Sequence, residues 1–176
     1  MRDGRTSSRQ PLARRLMLLA LALSIAALDQ ITKSIAVGHL TAGKPVGVLG
    51  SVLSLELVHN PGSAFSVSVL SGPVLVVLYA AVLIAAVTAM VRISDTRMAT
   101  VVAVLVGGVA GNLVDRLLRS PSVLHGHVVD WISVTHWPVF NIADSAICGA
   151  VALGAILVLR PVRTGPLPTA GGSHSE

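Results

Sequence analysis

Four stretches of the chain are apolar for about the twenty residues a helix needs to cross bilayer hydrocarbon: residues 16–37, 70–91, 99–118 and 140–159. The second carries no charge. The others carry polar residues near one end: Asp29, Gln30 and Lys33 late in the first, Asn112, Asp115 and Arg116 late in the third, and Asn141 and Asp144 early in the fourth. A charge at bilayer depth costs roughly 2.5–3.5 kcal/mol on insertion scales. A plain anchor has no reason to bear that cost three times.

The segment between the first two spans has a different texture. In "SVLSLELV" Leu53, Leu55 and Leu57 face one way while Ser54 and Glu56 face the other. "AFSVSV" repeats the pattern, with Phe65, Val67 and Val69 opposite Ala64, Ser66 and Ser68. Period-two alternation predicts half-buried strands, and Asn60-Pro61-Gly62 between them predicts a turn. A small sheet over about residues 45–69, resting on the outer membrane surface, is the expected arrangement; an irregular loop is the alternative. The Pro-, Gly-, Thr- and Ser-rich residues 161–176 lack the apolar content to fold and are expected to form a disordered cytoplasmic tail, as are the first dozen residues. Residues 1–160 then make one transmembrane domain.

Composition supports this reading. Hydrophobic residues make up 53% of the 176 and charged residues 12%, against about a quarter charged in soluble domains. The net charge of +5 does not point to nucleic acid, because the basic residues sort by side of the membrane. Arg2, Arg5, Arg9, Arg14, Arg15, Arg92, Arg97, Arg160 and Arg163 fall on one side, and Lys33, Lys44, Arg116 and Arg119 on the other. Excess Lys and Arg mark the cytoplasmic face, so both termini are expected there. A competing outline exists at the start: Arg14-Arg15, an apolar stretch and Ala26-Ala27 resemble a cleavable signal peptide. Its loss would leave three spans and remove Asp29 and Lys33. The single Cys148 excludes an internal disulfide and a Cys-cluster metal site.

Topology brings the polar ends together. The third span runs outward and the fourth returns, so Asp115 and Asp144 both lie roughly 5–6 Å below the outer end at 1.5 Å per residue. Asp29 approaches the same depth. Two close carboxylates share a proton, so one can act as base on a water while the other polarises a carbonyl. That is the chemistry of peptide hydrolysis without a covalent intermediate. Asn112 and Asn141 stand three residues before their aspartates and can share their faces. Bland readings stand beside this one. Intramembrane Asp and Asn can be interhelical glue, Asp29 and Lys33 can be a plain i,i+4 ion pair, and Gly107, Gly108 and Gly111 allow close helix approach. Asp130 in "VVDW" reads as a residue that caps or ties the outer loop, supporting the site from behind. His125 and His127 lack a third ligand, so no metal and no cofactor is expected, and Ser63, Ser66 and Ser145 lack a base.

Five blocks in order, "DQITK" (29–33), "NPGSAFS" (60–66), "GNLVDR" (111–116), "VVDW" (128–131) and "FNIADS" (140–145), make the chain resemble the type II (lipoprotein) signal peptidases, an aspartic intramembrane peptidase family of bacteria. The resemblance implies a membrane α protein with four transmembrane helices and a small extracytoplasmic β-cradle. It implies Asp115 and Asp144 as the catalytic pair, with Asp29, Lys33, Asn60, Gly62, Asn112, Arg116, Asp130 and Asn141 shaping the site or holding substrate. The implied reaction removes the signal peptide from diacylglyceryl-modified prolipoproteins on the amino side of the lipidated cysteine. It would take place at the outer face of the bacterial cytoplasmic membrane, in a monomer in contact with phospholipid. Trp131 stands where the family commonly has Phe, and residues 117–127 are somewhat long. A proton-conducting transporter using the same carboxylates, or a non-enzymatic assembly factor, are the rival classes.

Overall fold

The structure, a computed structural model, describes residues 11–62 and 71–159. The elements in chain order are α1 (Leu12–His39), β1 (Val46–Leu49), β2 (Leu53–Asn60), α2 (Gly72–Arg92), α3 (Thr96–Leu118), β3 (Val128–Val134) and α4 (Ile142–Leu159). The expected strand at 64–69, the tail at 161–176 and the first ten residues lie outside the described residues.

Each helix begins where local chemistry starts it. Pro11 precedes α1, Ser71 precedes α2 with a proline in its first turn, and Asp95 caps α3 by accepting from the Met98 N–H at 2.7 Å. The helices are within a few residues of the hydropathy boundaries. α2, α3 and α4 are each long and apolar enough to cross a membrane. α1 is longer and carries Arg14, Arg15, Asp29 and Lys33.

α3 is the central helix, with α1, α2 and α4 packed around it. Small residues make this possible. Ala22 of α1, Ala86 of α2, and Ala99 and Ala103 of α3 join Leu18, Met90 and Val106 in one core cluster. A Cβ on Gly107 would lie 2.7 Å from the Ala22 carbonyl oxygen of α1, and one on Gly108 would lie 2.7 Å from the Ala143 carbonyl oxygen of α4. The outer surfaces are apolar: Leu19, Leu23 and Ile31 on α1, Val77 and Ile84 on α2, and Val151 and Ile156 on α4 are all exposed. In water such a surface would aggregate; against lipid tails it needs no cover. The chain is a membrane protein.

The sheet has the order β1-β2-β3, antiparallel throughout. Leu53 pairs with Val134 and Asn60 with Val128, with an irregularity between Leu55 and Val58. The alternation expected of residues 52–58 is only partly realised, since Leu57 is the one buried residue of β2. β3 corrects the sequence reading. "VVDW" is not a loop but part of the strand that fastens the sheet to the helices, and its partner β2 lies about seventy residues earlier.

Gly108→Val is expected to drive α4 off α3, lowering the detergent-solubilised protein's stability by about 1–3 kcal/mol, the usual cost of overpacking. Gly149→Ala, whose Cβ would meet nothing within 4 Å, should leave the melting temperature level or slightly higher.

Candidate active site

Lys33 is wholly buried among three acceptors. Its Nζ lies 2.7 Å from Asp29 Oδ2, 2.8 Å from Asp115 Oδ2 and 2.8 Å from Asn112 Oδ1. An ammonium has three N–H groups, and all three are used. Asp29 extends the network by accepting the Ala143 N–H with Oδ1 at 2.9 Å, so a side chain of α1 satisfies a backbone donor in the first turn of α4. Asp115 is equally committed. Oδ1 accepts from Arg119 Nε at 2.7 Å and Gln30 Nε2 at 2.9 Å, and Oδ2 accepts the Val129 N–H of β3 at 3.1 Å besides Lys33.

The start of α4 is a reciprocal cap. Asn141 Oδ1 accepts the Asp144 N–H at 2.8 Å, and Asp144 Oδ2 accepts the Asn141 N–H at 3.3 Å. The other Asp144 oxygen accepts from Asn112 Nδ2 at 2.8 Å. Asn141 also reaches the other way, donating through Nδ2 to Asp130 Oδ1 at 2.6 Å. The second Asp130 oxygen accepts from Asn60 Nδ2 at 3.0 Å. Asn141 therefore bonds both carboxylates, Asp130 on β3 and Asp144 on α4.

Asp130 and Asp144 line one cavity of about 220 Å³. Its polar wall includes Asn60, Gly62, Asn112 and Arg116. Its apolar wall includes Trp137, Val139, Phe140 and Ile147, and Tyr79 and Cys148 also line it. Burial, and after it the negative charge of Asp144, push the Asp130 carboxyl up to about 7 from 3.8. Arg116 braces the rim. It donates to the carbonyls of Pro61 (2.9 Å), Gly126 (3.2 Å) and Gly62. Asn60 Oδ1 accepts the Gly62 N–H at 2.9 Å, closing the expected Asn-Pro-Gly turn. Burial lowers His127, with Arg116 and His59 adding to the effect. Among the described residues, no group of three His, Cys, Asp or Glu side chains is placed to hold a metal.

Comparison with known proteins places this geometry. The family model for signal peptidase (SPase) II matches residues 21–160. The chain belongs to the signal peptidase II family. Among its relatives, the lipoprotein signal peptidase of Rhodococcus jostii is 42% identical over 147 residues, 83% of this chain and 74% of that protein. The protein of the same name from Mycobacterium tuberculosis is 36% identical over 173 residues, 98% of this chain and 84% of that one. Two solved chains of a bacterial membrane enzyme, at 2.3 and 1.9 Å resolution, each superpose with a TM-score of 0.71. Their identities are 28% and 26%, and they cover 81% and 83% of this chain and 87% and 94% of their own.

For this signal peptidase the expected pairing of Asp115 with Asp144 needs correction. Asp115 does not line the cavity, and its two oxygens already hold four donors from Gln30, Lys33, Arg119 and Val129. Depth along a helix does not fix the direction a side chain takes around it. The carboxylate that shares the cavity with Asp144 is Asp130, expected to tie the outer loop and shape the site but not to be one of the pair. Asp29 and Lys33 do gather with Asn112 in a buried network, in which only Asn112 reaches the cavity. Asn60, Gly62, Asn112 and Arg116 reach the cavity wall itself. Sequence reasoning passed over Gln30, which donates to Asp115 and to the Gly111 carbonyl at 2.9 Å, and over Tyr79. Gln30 stood among the polar residues of the first span without a role assigned to it, and Tyr79 carried a usable signal as a hydrogen-bonding side chain in an otherwise apolar stretch.

Lys33 is more than the plain i,i+4 partner of Asp29, since it also holds Asp115. With two wholly buried carboxylates depending on it, Lys33→Ala is expected to destabilise by about 3–5 kcal/mol. A fall in the yield and melting temperature of the purified protein, larger than that of Lys44→Ala, would register this.

Proposed function

We propose that this member of the signal peptidase II family is an aspartic endopeptidase whose working pair is Asp130 and Asp144. The observation that carries the proposal is their joint exposure to one cavity while Asn141 bonds to both. The pair holds one proton at neutral pH, kept on Asp130 by its raised pKa. Asp144, which accepts two hydrogen bonds from fixed donors, is the base. A water between them gives a proton to Asp144 and attacks the scissile carbonyl carbon, while Asp130 gives its proton to the carbonyl oxygen. The tetrahedral gem-diol then returns a proton to Asp130 and collapses. The C–N bond breaks and the amine leaves with the proton taken up by Asp144. Asp115 acts at a distance, fixing Lys33 and β3.

The substrate is a lipid-modified lipoprotein precursor, cut on the amino side of the lipidated cysteine. The apolar cavity wall of Trp137, Val139 and Phe140 suits a bond presented from lipid, and the relatives' name supports the class. α1 is the fourth span. Its charges in the bilayer are neutralised within the bundle, and its outward row of Leu19, Leu23, Ile31 and Ile35 meets phospholipid. Arg14, Arg15, Arg92 and Arg97 gather at one end of the bundle, and the preference of such residues for the cytoplasmic side supports a sheet and cavity at the outer face of the bacterial cytoplasmic membrane. Residues 1–160 act as one domain in a monomer, without cofactor or metal.

With purified protein and a lipidated precursor, Asp130→Asn and Asp144→Asn should each abolish cleavage while the protein still inserts and melts cooperatively. Asp115→Asn should lose activity only in step with its folded fraction. Cleavage at the parent rate by either of the first two variants rules out the pair. The same precursor without its lipid should be a poor substrate.

The pH dependence follows from Asp130. Between pH 3.8 and about 7 the unfolded chain has released a proton that the folded protein still holds. Stability therefore falls as pH rises through that window, and the loss is complete above it. Asp130→Asn should show a melting temperature that gains on the parent's from pH 4 to pH 8. Cleavage by the parent should decline above about pH 7, as the shared proton departs.

A further inference from the structure

The chain's single tyrosine is a hydroxyl for which the reaction above has no use. Tyr79 lies on α2, a helix whose outer half has no other hydrogen-bonding side chain. It lines the cavity with Asp130 and Asp144. Asn112 is its polar neighbour, and Asp144, Arg116 and Asp130 are its charged neighbours.

The inventory around Asn112 decides what the hydroxyl can do. The Asn112 carbonyl oxygen already accepts from Lys33 at 2.8 Å and from Asn141 at 3.3 Å, which fills its two lone pairs. One amide hydrogen goes to Asp144. The other amide hydrogen is all that Asn112 has left to offer a phenol, so Tyr79 can take from Asn112 only as an acceptor, which leaves its own O–H for the cavity that it lines. Asn112 does not need Tyr79 to hold its orientation, since three other groups fix it. A structural role would also be met by an apolar side chain on this apolar helix.

We propose that Tyr79 is a further catalytic residue, whose hydroxyl donates a hydrogen bond to the scissile carbonyl oxygen as negative charge builds there. No proton passes from Tyr79; both proton transfers remain with the aspartates. The proposal rests on the aspartate reading above. Preorganised donors of this kind act on the transition state more than on the bound substrate.

The test uses steady-state cleavage of lipidated precursor by the purified full chain. Tyr79→Phe is expected to lower kcat by about 10²-fold, the effect typical of losing one such donor. KM should stay within about twofold, and both limbs of the pH profile should stay in place. A kcat equal to the parent's overturns the proposal, and so does a shift of the pH limbs, which would mean that Tyr79 acts by holding Asn112 and Asp144. Because there is one tyrosine, growth on 3-fluorotyrosine or 3,5-difluorotyrosine alters this position alone, without risk to folding. kcat should change in order with the acidity of the phenol, and a flat series overturns the proposal. Asp144→Asn in the same assay separates the two readings. If it cleaves normally, both fall together; if it is inactive beside a fully active Tyr79→Phe, only the tyrosine is removed.

Discussion

A single buried ammonium organises this molecule. Taking Lys33 out of water costs several kcal/mol unless paired groups replace its hydration, and the structure replaces it with Asp29, Asp115 and Asn112. Each of those acceptors has a second obligation. Asp29 holds the Ala143 N–H of α4, Asp115 holds the Val129 N–H of β3, and Asn112 donates to Asp144. One charge thereby ties three helices and the sheet into a fixed relation. The network also explains why so much polarity lies in an apolar bundle: the groups satisfy one another, and none of the three acceptors faces lipid.

The apolar packing serves the same constraint. Gly107 and Gly108 let α1 and α4 approach α3 from two sides, and a Cβ on Gly111 would lie 2.6 Å from Asp29 Oδ2. The glycines thus do more than allow van der Waals contact between helices. They bring α1 close enough for a lysine and an aspartate one turn apart to reach α3 and α4. Without that approach the carboxylates would be left in hydrocarbon at full cost.

Much of this was legible from the residues. Twenty-residue apolar runs located the helices, because lipid demands that length. The polar residues near the ends of those runs gather in one network, and the spacing of Asp29 and Lys33 located their ion pair. The five ordered blocks identified the family. What spacing could not supply was azimuth and non-local pairing. Asp115 and Asn112 are three residues apart on α3, yet one is closed off behind the cavity and the other lines it. Asp130 was hidden for a different reason: seven residues between long helices read as a loop until β2 is placed beside them. Tyr79 was hidden by its type, since one aromatic in an apolar span resembles packing until its hydroxyl is seen to have company.

The wall that carries Trp137, Val139 and Phe140 leaves β3 after Val134 and returns at Asn141. It is cinched at its neck, where Phe140 accepts the Trp131 and Ile132 N–H groups at 3.0 and 2.8 Å and donates to the Ile132 carbonyl at 3.0 Å. Asp130 and Asn141, also at the neck, close it again at 2.6 Å. A drawstring of this kind separates two tasks. The excursion shapes the apolar wall, while the spacing of Asp130 and Asn141, and of Asp144 bonded to Asn141, is set below the knot.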